Sequence, residues 1–270
     1  MYGGIMNIKN PKGKIKIMMD KNGFWTIAEE YEAVDSTNKI AGERMAQGKA
    51  QGYTVLASSQ SEGEGRYGRS FFSPVGTGLY MSTILRPESV EKARYITPYA
   101  AVALRRAVYK AFGIKTQIKW LNDLYLNEKK VAGILAKSVF RENRLEGVIL
   151  GIGVNIRMPE GGFPENIRDK AGALFEKGEA GMDKVLAKAF LESFFHIYQD
   201  PITHELTEEY RKYCFVPGNT ITVTKWSDPE KVLPARALDI NEEFHLLVEY
   251  ENGEREYLQS GEVSITAKRL

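Results

Sequence analysis

The apolar positions change period several times along the chain, and each change marks an element. From Thr97 to Phe112 the residues Ala100, Ala103, Leu104, Ala107, Val108, Ala111 and Phe112 recur at i, i+3, i+4 and i+7. That stripe predicts a helix lying on a flat apolar surface such as a sheet. Thr97 is placed to cap it, Pro98 suits its first position, and Gly113 supplies the stop. A second helix is expected in "VDSTNKIAGERMAQG", capped by Asp35, Ser36 or Thr37 and ended by Gly48. Two more are expected at about 183–199 and 204–213.

Elsewhere the pattern is that of strands. "YTVLASSQ" from Tyr53 reads as a buried strand, and "GLYMSTILRP" as another, stopped by Pro87. Residues 116–156 contain three apolar runs separated by "NEKK" and "RENR", which read as antiparallel strands joined by short turns. "RMPEGGFPENIRDKAGAL", with its prolines and glycines, reads as a mobile loop. From Thr220 onward short alternating strands follow one another, with Asn252-Gly253 as a hairpin turn. The expected division is therefore a tail at 1–25, an α/β body at 26–215 and a small β domain at 216–270.

Composition narrows the classes. A net charge of +2 gives no global argument for a nucleic-acid or membrane partner. The single cysteine, Cys214, excludes an intramolecular disulfide and fits a reducing cytoplasm. The N-terminus lacks the apolar core of a signal peptide, and no apolar run has the length of a membrane span. His196, His204 and His245 fall in different elements without ligand spacing, so no zinc site is expected.

Four stretches carry candidate chemistry. "SEGEGRYGRSFFSP", residues 61–74, sets Gly63, Gly65 and Gly68 among Arg66 and Arg69, either as a backbone cradle for an anion or as a solvated connector. Glu64 puts a negative charge in that cradle. "KWLND" offers Lys119 as a point charge, or else an edge lysine beside a core Trp120, with Asn122 and Asp123 making a turn. "GIGVNI" has small residues that admit a flat ring or a second backbone, with Asn155 at its end. "DSTN", residues 35–38, is a polar helix start that serves a ligand or simply caps the helix.

The order of these motifs resembles the catalytic domain of biotin–protein ligases: "DSTN", then Q-x-x-G-x-G-R-x-G-R, then K-W-x-N-D-x-Y with K-x-A-G-I-L, then G-I-G-x-N. The resemblance runs from about Glu30 to Ile156, and "GNTITV…GEVSI" is similar to that family's C-terminal SH3-like domain. It implies an α+β fold: a mixed sheet flanked by helices, as in class II aminoacyl-tRNA synthetases, with a small SH3-like barrel. It also implies joining biotin to ATP, with Mg²⁺, and passing biotin from biotinyl-5′-AMP to a lysine on the carrier domain of a biotin-dependent carboxylase. By the same resemblance, Ser36, Thr37, Asn38, Gln60, Gly63, Glu64, Gly65, Arg66, Lys119 and Gly133 would contact biotin. Arg66, Arg69, Trp120, Asn122 and Asn155 would contact ATP or the adenylate, and 158–170 would cover the adenosine. Lys119 and Arg66 would stabilise the charge that develops during adenylation.

The chain departs from the family pattern in three places. Glu64 and Tyr67 stand where the Gly-rich loop is usually basic, and Leu121 stands for the usual proline. The roughly 25 residues ahead of the catalytic region are too few for a winged helix-turn-helix, which implies ligation without repression. An inward Glu64 would repel a phosphate about 6 Å away by roughly 1–3 kcal/mol, an outward one would pair with a basic residue, and a third option is contact with the carrier protein; the outward reading is the expected one. Two other readings stay open: a lipoate-type ligase, and a paralogue that binds biotin or its adenylate without ligating. Relatives of this kind often dimerise, so a homodimer is also open.

Overall fold

The computed structural model describes residues 18–19, 25–201, 203–225 and 228–267. Most of the expected 1–25 tail therefore lies outside the described residues. Met18–Met19 form a short strand, β1, paired with the next strand.

The body is an eight-stranded mixed sheet. Its strands are β1, β2 (Thr26–Tyr31), β3 (Tyr53–Ala57), β4 (Gly78–Leu85), β5 (Gln117–Lys119), β6 (Asp123–Leu126), β7 (Lys129–Arg141) and β8 (Arg144–Asn155). The spatial order is β1-β2-β3-β4-β8-β7-β6-β5, and only β2 and β3 run parallel. The two polar interruptions are tight hairpin turns, with Asn127 and Glu128 at φ 48° and 65° and Glu142 and Asn143 at 49° and 61°. Positive φ at both central residues is what a two-residue hairpin needs to match strand twist. The first of the three expected strands is instead two strands, because the chain turns at Trp120–Asn122.

Strand alternation divides the core between the two faces of the sheet. Val55, Ala57, Ile84 and Ile149 pack under Ile40, Ala41 and Met45 of helix α1 (Thr37–Ala46). Leu56, Leu79, Met81, Leu150 and Ile152 belong to the larger core on the other side. That core is covered by α3 (Ile96–Phe112) and α4 (Met182–Gln199), with α5 (Thr203–Tyr213) beside α3.

Two local expectations need correction. Thr97 does not cap α3, because a short helix α2 (Val90–Arg94), capped by Ser89, runs into it and Tyr95 serves as the junction. Strand β2, with two glutamates in "TIAEEY", gave no strand signal. It is held in place by Glu29, whose carboxylate accepts bonds from Arg44, Tyr31 and Tyr53.

The C-terminal sheet comprises β9 (Thr220–Lys225), β10 (Asp228–Ile240), β11 (Leu246–Tyr250), β12 (Arg255–Leu258) and β13 (Glu262–Ala267), in the order β12-β11-β10-β9-β13. It docks on the body through Phe244. That ring meets Tyr95, Tyr99 and Tyr210 at 6.2, 6.0 and 5.3 Å between centroids, and its carbonyl accepts the Trp120 indole N–H at 2.8 Å.

Glu29 yields a pH prediction. Burial opposes its ionisation, but the bonds from Arg44, Tyr31 and Tyr53 outweigh this and hold its carboxyl at about 2 against 4.5. The stabilisation is complete above the unfolded value and is lost as pH falls from about 4.5 to 2, about 1–2 kcal/mol once solvent screening is discounted. Thermal midpoints measured across that range should fall steeply for the parent chain and less steeply for Glu29→Gln.

Candidate functional site

On the α1 face, β8 presents Gly151 and Gly153 in line with Ile149, and β7 runs beside it with Gly133 opposite Gly153. Without side chains, these positions open a hollow in an otherwise packed sheet. A Cβ on Gly151 would stand 2.4 Å from Asn38 Oδ1, and one on Gly153 would stand 2.7 Å from the Phe71 ring. What lies close is therefore not a second backbone but an amide from α1 and an aromatic ring from the Gly-rich loop. The cavity between them is about 50 Å³.

The N-terminal end of α1 supplies the polar wall. Ser36 occupies the N-cap position but makes no cap bond. Instead the Thr37 N–H and hydroxyl both donate to Gln60 Oε1, at 2.8 and 3.0 Å. The Ser82 hydroxyl lies 2.7 Å from both Thr37 Oγ1 and Asn38 Oδ1 and shares its one proton between them. Gln60 Nε2 donates onward to Ser73 at 3.0 Å, which fixes the orientation of its amide. This end is neutral, dense in hydrogen bonds and nearly sealed from solvent.

The other end is cationic. Arg66, in a single turn at Arg66–Gly68, donates from Nη1 to Asn122 Oδ1 at 2.9 Å. Asn122 in turn donates to Asp123 and to the Ile134 carbonyl, both at 3.0 Å. Lys130 pairs with Asp123 at 2.7 Å and lines the cavity. Backbone bonds between Lys130 and residues 170 and 172, both 2.8 Å, tie loop 157–174 to the same spot. That loop also touches the Gly-rich one, Phe163 meeting Phe72 edge-on at 6.4 Å.

Of the residues singled out from the sequence, Thr37, Asn38, Gln60, Glu64, Gly65, Arg66, Asn122 and Gly133 line the cavity. Ser36 and Gly63 support it from behind. Ser36 Oγ lies 3.5 Å from Glu64, and a Cβ on Gly63 would meet the Phe71 carbonyl at 2.4 Å. Four residues lie elsewhere. Lys119 sits at the end of β5 opposite Asp123, 5.7 Å from the Tyr125 ring centroid. Burial pulls its ammonium below the ordinary value; Asp123 opposes this and Lys130 reinforces it. Trp120 is in the core with its N–H committed to Phe244. Asn155 donates to the Gly172 carbonyl at 2.9 Å, and Arg69 pairs with Glu262 in the C-terminal sheet.

Glu64 is neither free nor turned away from the cavity. Its carboxylate accepts from Lys137 on β7 at 2.6 Å, so the negative charge at the rim is neutralised. Sequence reasoning missed Phe71, Lys130 and Lys137. Lys130 could have been found, since it opens the K-x-A-G-I-L motif three residues before Gly133. Lys137 could not, because only the β7 register places it beside Glu64. Away from the cavity, burial pushes the Cys214 thiol up to about 12, which leaves it unreactive near neutrality. His204, Glu208 and Glu242 meet on the surface, where Arg211 bridges both carboxylates.

A model of the biotin/lipoate A/B protein ligase family matches residues 31–155. The chain is similar to the bifunctional ligase/repressor BirA of Bacillus spizizenii, 33% identical over 227 residues that span 82% of this chain and 69% of that protein. It is also similar to a biotin–[acetyl-CoA-carboxylase] ligase of Paracoccus denitrificans, 38% identical over 135 residues, 48% of this chain and 55% of that protein. In fold it matches the biotin protein ligase of Aquifex aeolicus, solved in complex with biotin and ATP, with a TM-score of 0.69 and 23% identity over 88% of this chain and 98% of that one. The expected α+β architecture with a helix-flanked mixed sheet is thus the one observed, and the C-terminal antiparallel sheet is consistent with an SH3-like domain.

The glycine floor can be tested position by position. Gly151→Ala should lower stability by about 1–3 kcal/mol, because the methyl collides with a buried, hydrogen-bonded amide. Gly133→Ala should fold almost as well as the parent, since its nearest contact is the flexible end of Lys130 at 3.4 Å. Urea denaturation of both variants would check the contrast.

Proposed function

The chain belongs to the biotin/lipoate A/B protein ligase family, and on that premise we propose that it is an ATP-dependent biotin–protein ligase. The polarity of the cleft carries the reading. Biotin is a neutral cyclic urea at one end and a carboxylate at the other. The cleft is neutral and rich in amide and hydroxyl groups at Thr37, Asn38 and Gln60, and cationic at Arg66 and Lys130.

In the first step a biotin carboxylate oxygen attacks the α-phosphorus of ATP. A C–O–P anhydride forms and pyrophosphate leaves. Two anions must approach, so cations already held in place lower the barrier by stabilising charge without reorganising. Arg66 is bonded to Asn122, and Lys130 to Asp123. Lys119, behind Asp123, adds to the positive field. In the second step the amine of an acceptor lysine attacks the biotinyl carbonyl, the bond to AMP breaks, and a proton passes to solvent. A lysine on the carrier domain of a biotin-dependent carboxylase is the acceptor, a reading supported by the name of the Paracoccus relative.

Mg²⁺ belongs with the substrate. The two carboxylates at the cleft, Glu64 and Asp123, are each paired with a lysine. Among the described residues the cavity therefore offers the ion no unpaired carboxylate, and it would arrive on the phosphates of ATP. The case for a non-ligating paralogue rested on Glu64 and Leu121. Lys137 neutralises the first, and the second lies in a turn where its carbonyl accepts Tyr210 Oη at 3.0 Å. None of the described helices is long and apolar enough to cross a membrane.

The purified chain mixed with biotin and MgATP should release pyrophosphate only when biotin is present, with biotinyl-adenylate detected by mass spectrometry. Biotin binding without adenylate would transfer the case to the binding-protein reading. Arg66→Ala and Lys130→Ala should each slow pyrophosphate release by about 100-fold with little change in thermal midpoint. Lys119→Ala should cost less than Lys130→Ala, because Lys119 acts from behind Asp123; the reverse ranking would place Lys119 at the phosphate.

A further inference from the structure

The tip of the Gly-rich loop makes a contact that the chemistry above does not use. Tyr67 has a left-handed backbone, φ 59°, a conformation that needs local bonds to offset its cost in a non-glycine residue. This turns its ring beneath Arg66, whose guanidinium carbon lies 4.8 Å from the ring centroid. The Tyr67 hydroxyl then accepts two bonds, one from Arg66 Nη2 at 2.7 Å and one from the backbone N–H of Gly261 at 3.1 Å. Gly261 immediately precedes β13. The next residue, Glu262, meets the Arg69 guanidinium through both carboxylate oxygens.

Arg66 is thus held between the body and the C-terminal sheet: Asn122 takes one amino group, and Tyr67 takes the other and sets its ring against the guanidinium. We propose that Tyr67 is the positioning residue for Arg66 in adenylate formation, its hydroxyl pinned by Gly261 so that the C-terminal sheet sets where the guanidinium points. A phenol suits this task better than the basic residue usual at this position, because it accepts from a cation without repelling it. Holding a long side chain before substrate arrives also removes an ordering cost from the reaction. The proposal rests on the ligase reading for what Arg66 does, but not for how Arg66 is held.

Tyr67→Phe tests it, because the ring and its contact with the guanidinium survive while the hydroxyl's bonds to Arg66 and Gly261 go. Biotin-dependent pyrophosphate release at saturating substrates should slow by about tenfold, with biotin affinity within about twofold and the thermal midpoint unchanged. In an Arg66→Lys background the same change should add less than about twofold, since Tyr67 acts through the guanidinium. An equal loss in both backgrounds, or a loss below about twofold in the parent, would overturn the proposal. If the parent releases no pyrophosphate, it is the ligase reading that fails, and trypsin cleavage after Arg66 decides the tether. Faster cleavage in Tyr67→Phe and in Glu262→Gln sustains it; unchanged rates overturn it.

Discussion

Strand alternation fixes the site. Every second side chain of β8 faces α1, and at Gly151 and Gly153 there is none to face it. Those two vacancies in a packed sheet let the Asn38 amide settle from one side and the Phe71 ring from the other. The bonds around them follow: Ser82 on β4 reaches Thr37 and Asn38, and Gln60 reaches Thr37. A side chain at either glycine would displace the group that shapes the cavity, so the hollow and its polar wall form together or not at all.

Charge at the cleft is arranged as neutralised pairs rather than as a bare positive patch. Asp123 lies between Lys119 and Lys130, Glu64 is matched by Lys137, and Arg69 by Glu262. Such pairing holds several cations close together, where mutual repulsion would otherwise spread them. It also leaves Arg66 distinct among them, since its partners are a neutral amide and a phenol. A guanidinium held by neutral groups keeps its full charge for an anion.

Much of the fold was legible. The α3 stripe, the two hairpin turns and the switch to short strands at Thr220 all follow from periodicity and turn chemistry acting locally. Strand β2 was not legible, because "TIAEEY" becomes a strand only once Arg44, Tyr31 and Tyr53 satisfy Glu29. Nor was the fate of Trp120, which the residues alone favour as core and the resemblance gives as a ligand contact, until Phe244 arrives from the C-terminal sheet.

By itself the sequence determined which elements form and in what order the polar, glycine-rich and cationic stretches occur, because backbone preference and apolar period are properties of neighbours along the chain. Only the tertiary structure decided which charges meet. Glu64 and Lys137 are 73 residues apart, and Tyr67 and Gly261 are 194 apart. No local rule relates such positions. Their meeting is fixed by the register of β7 beside β8 and by the seat of the C-terminal sheet on Phe244, where long-range packing chooses among pairings that the sequence leaves equal.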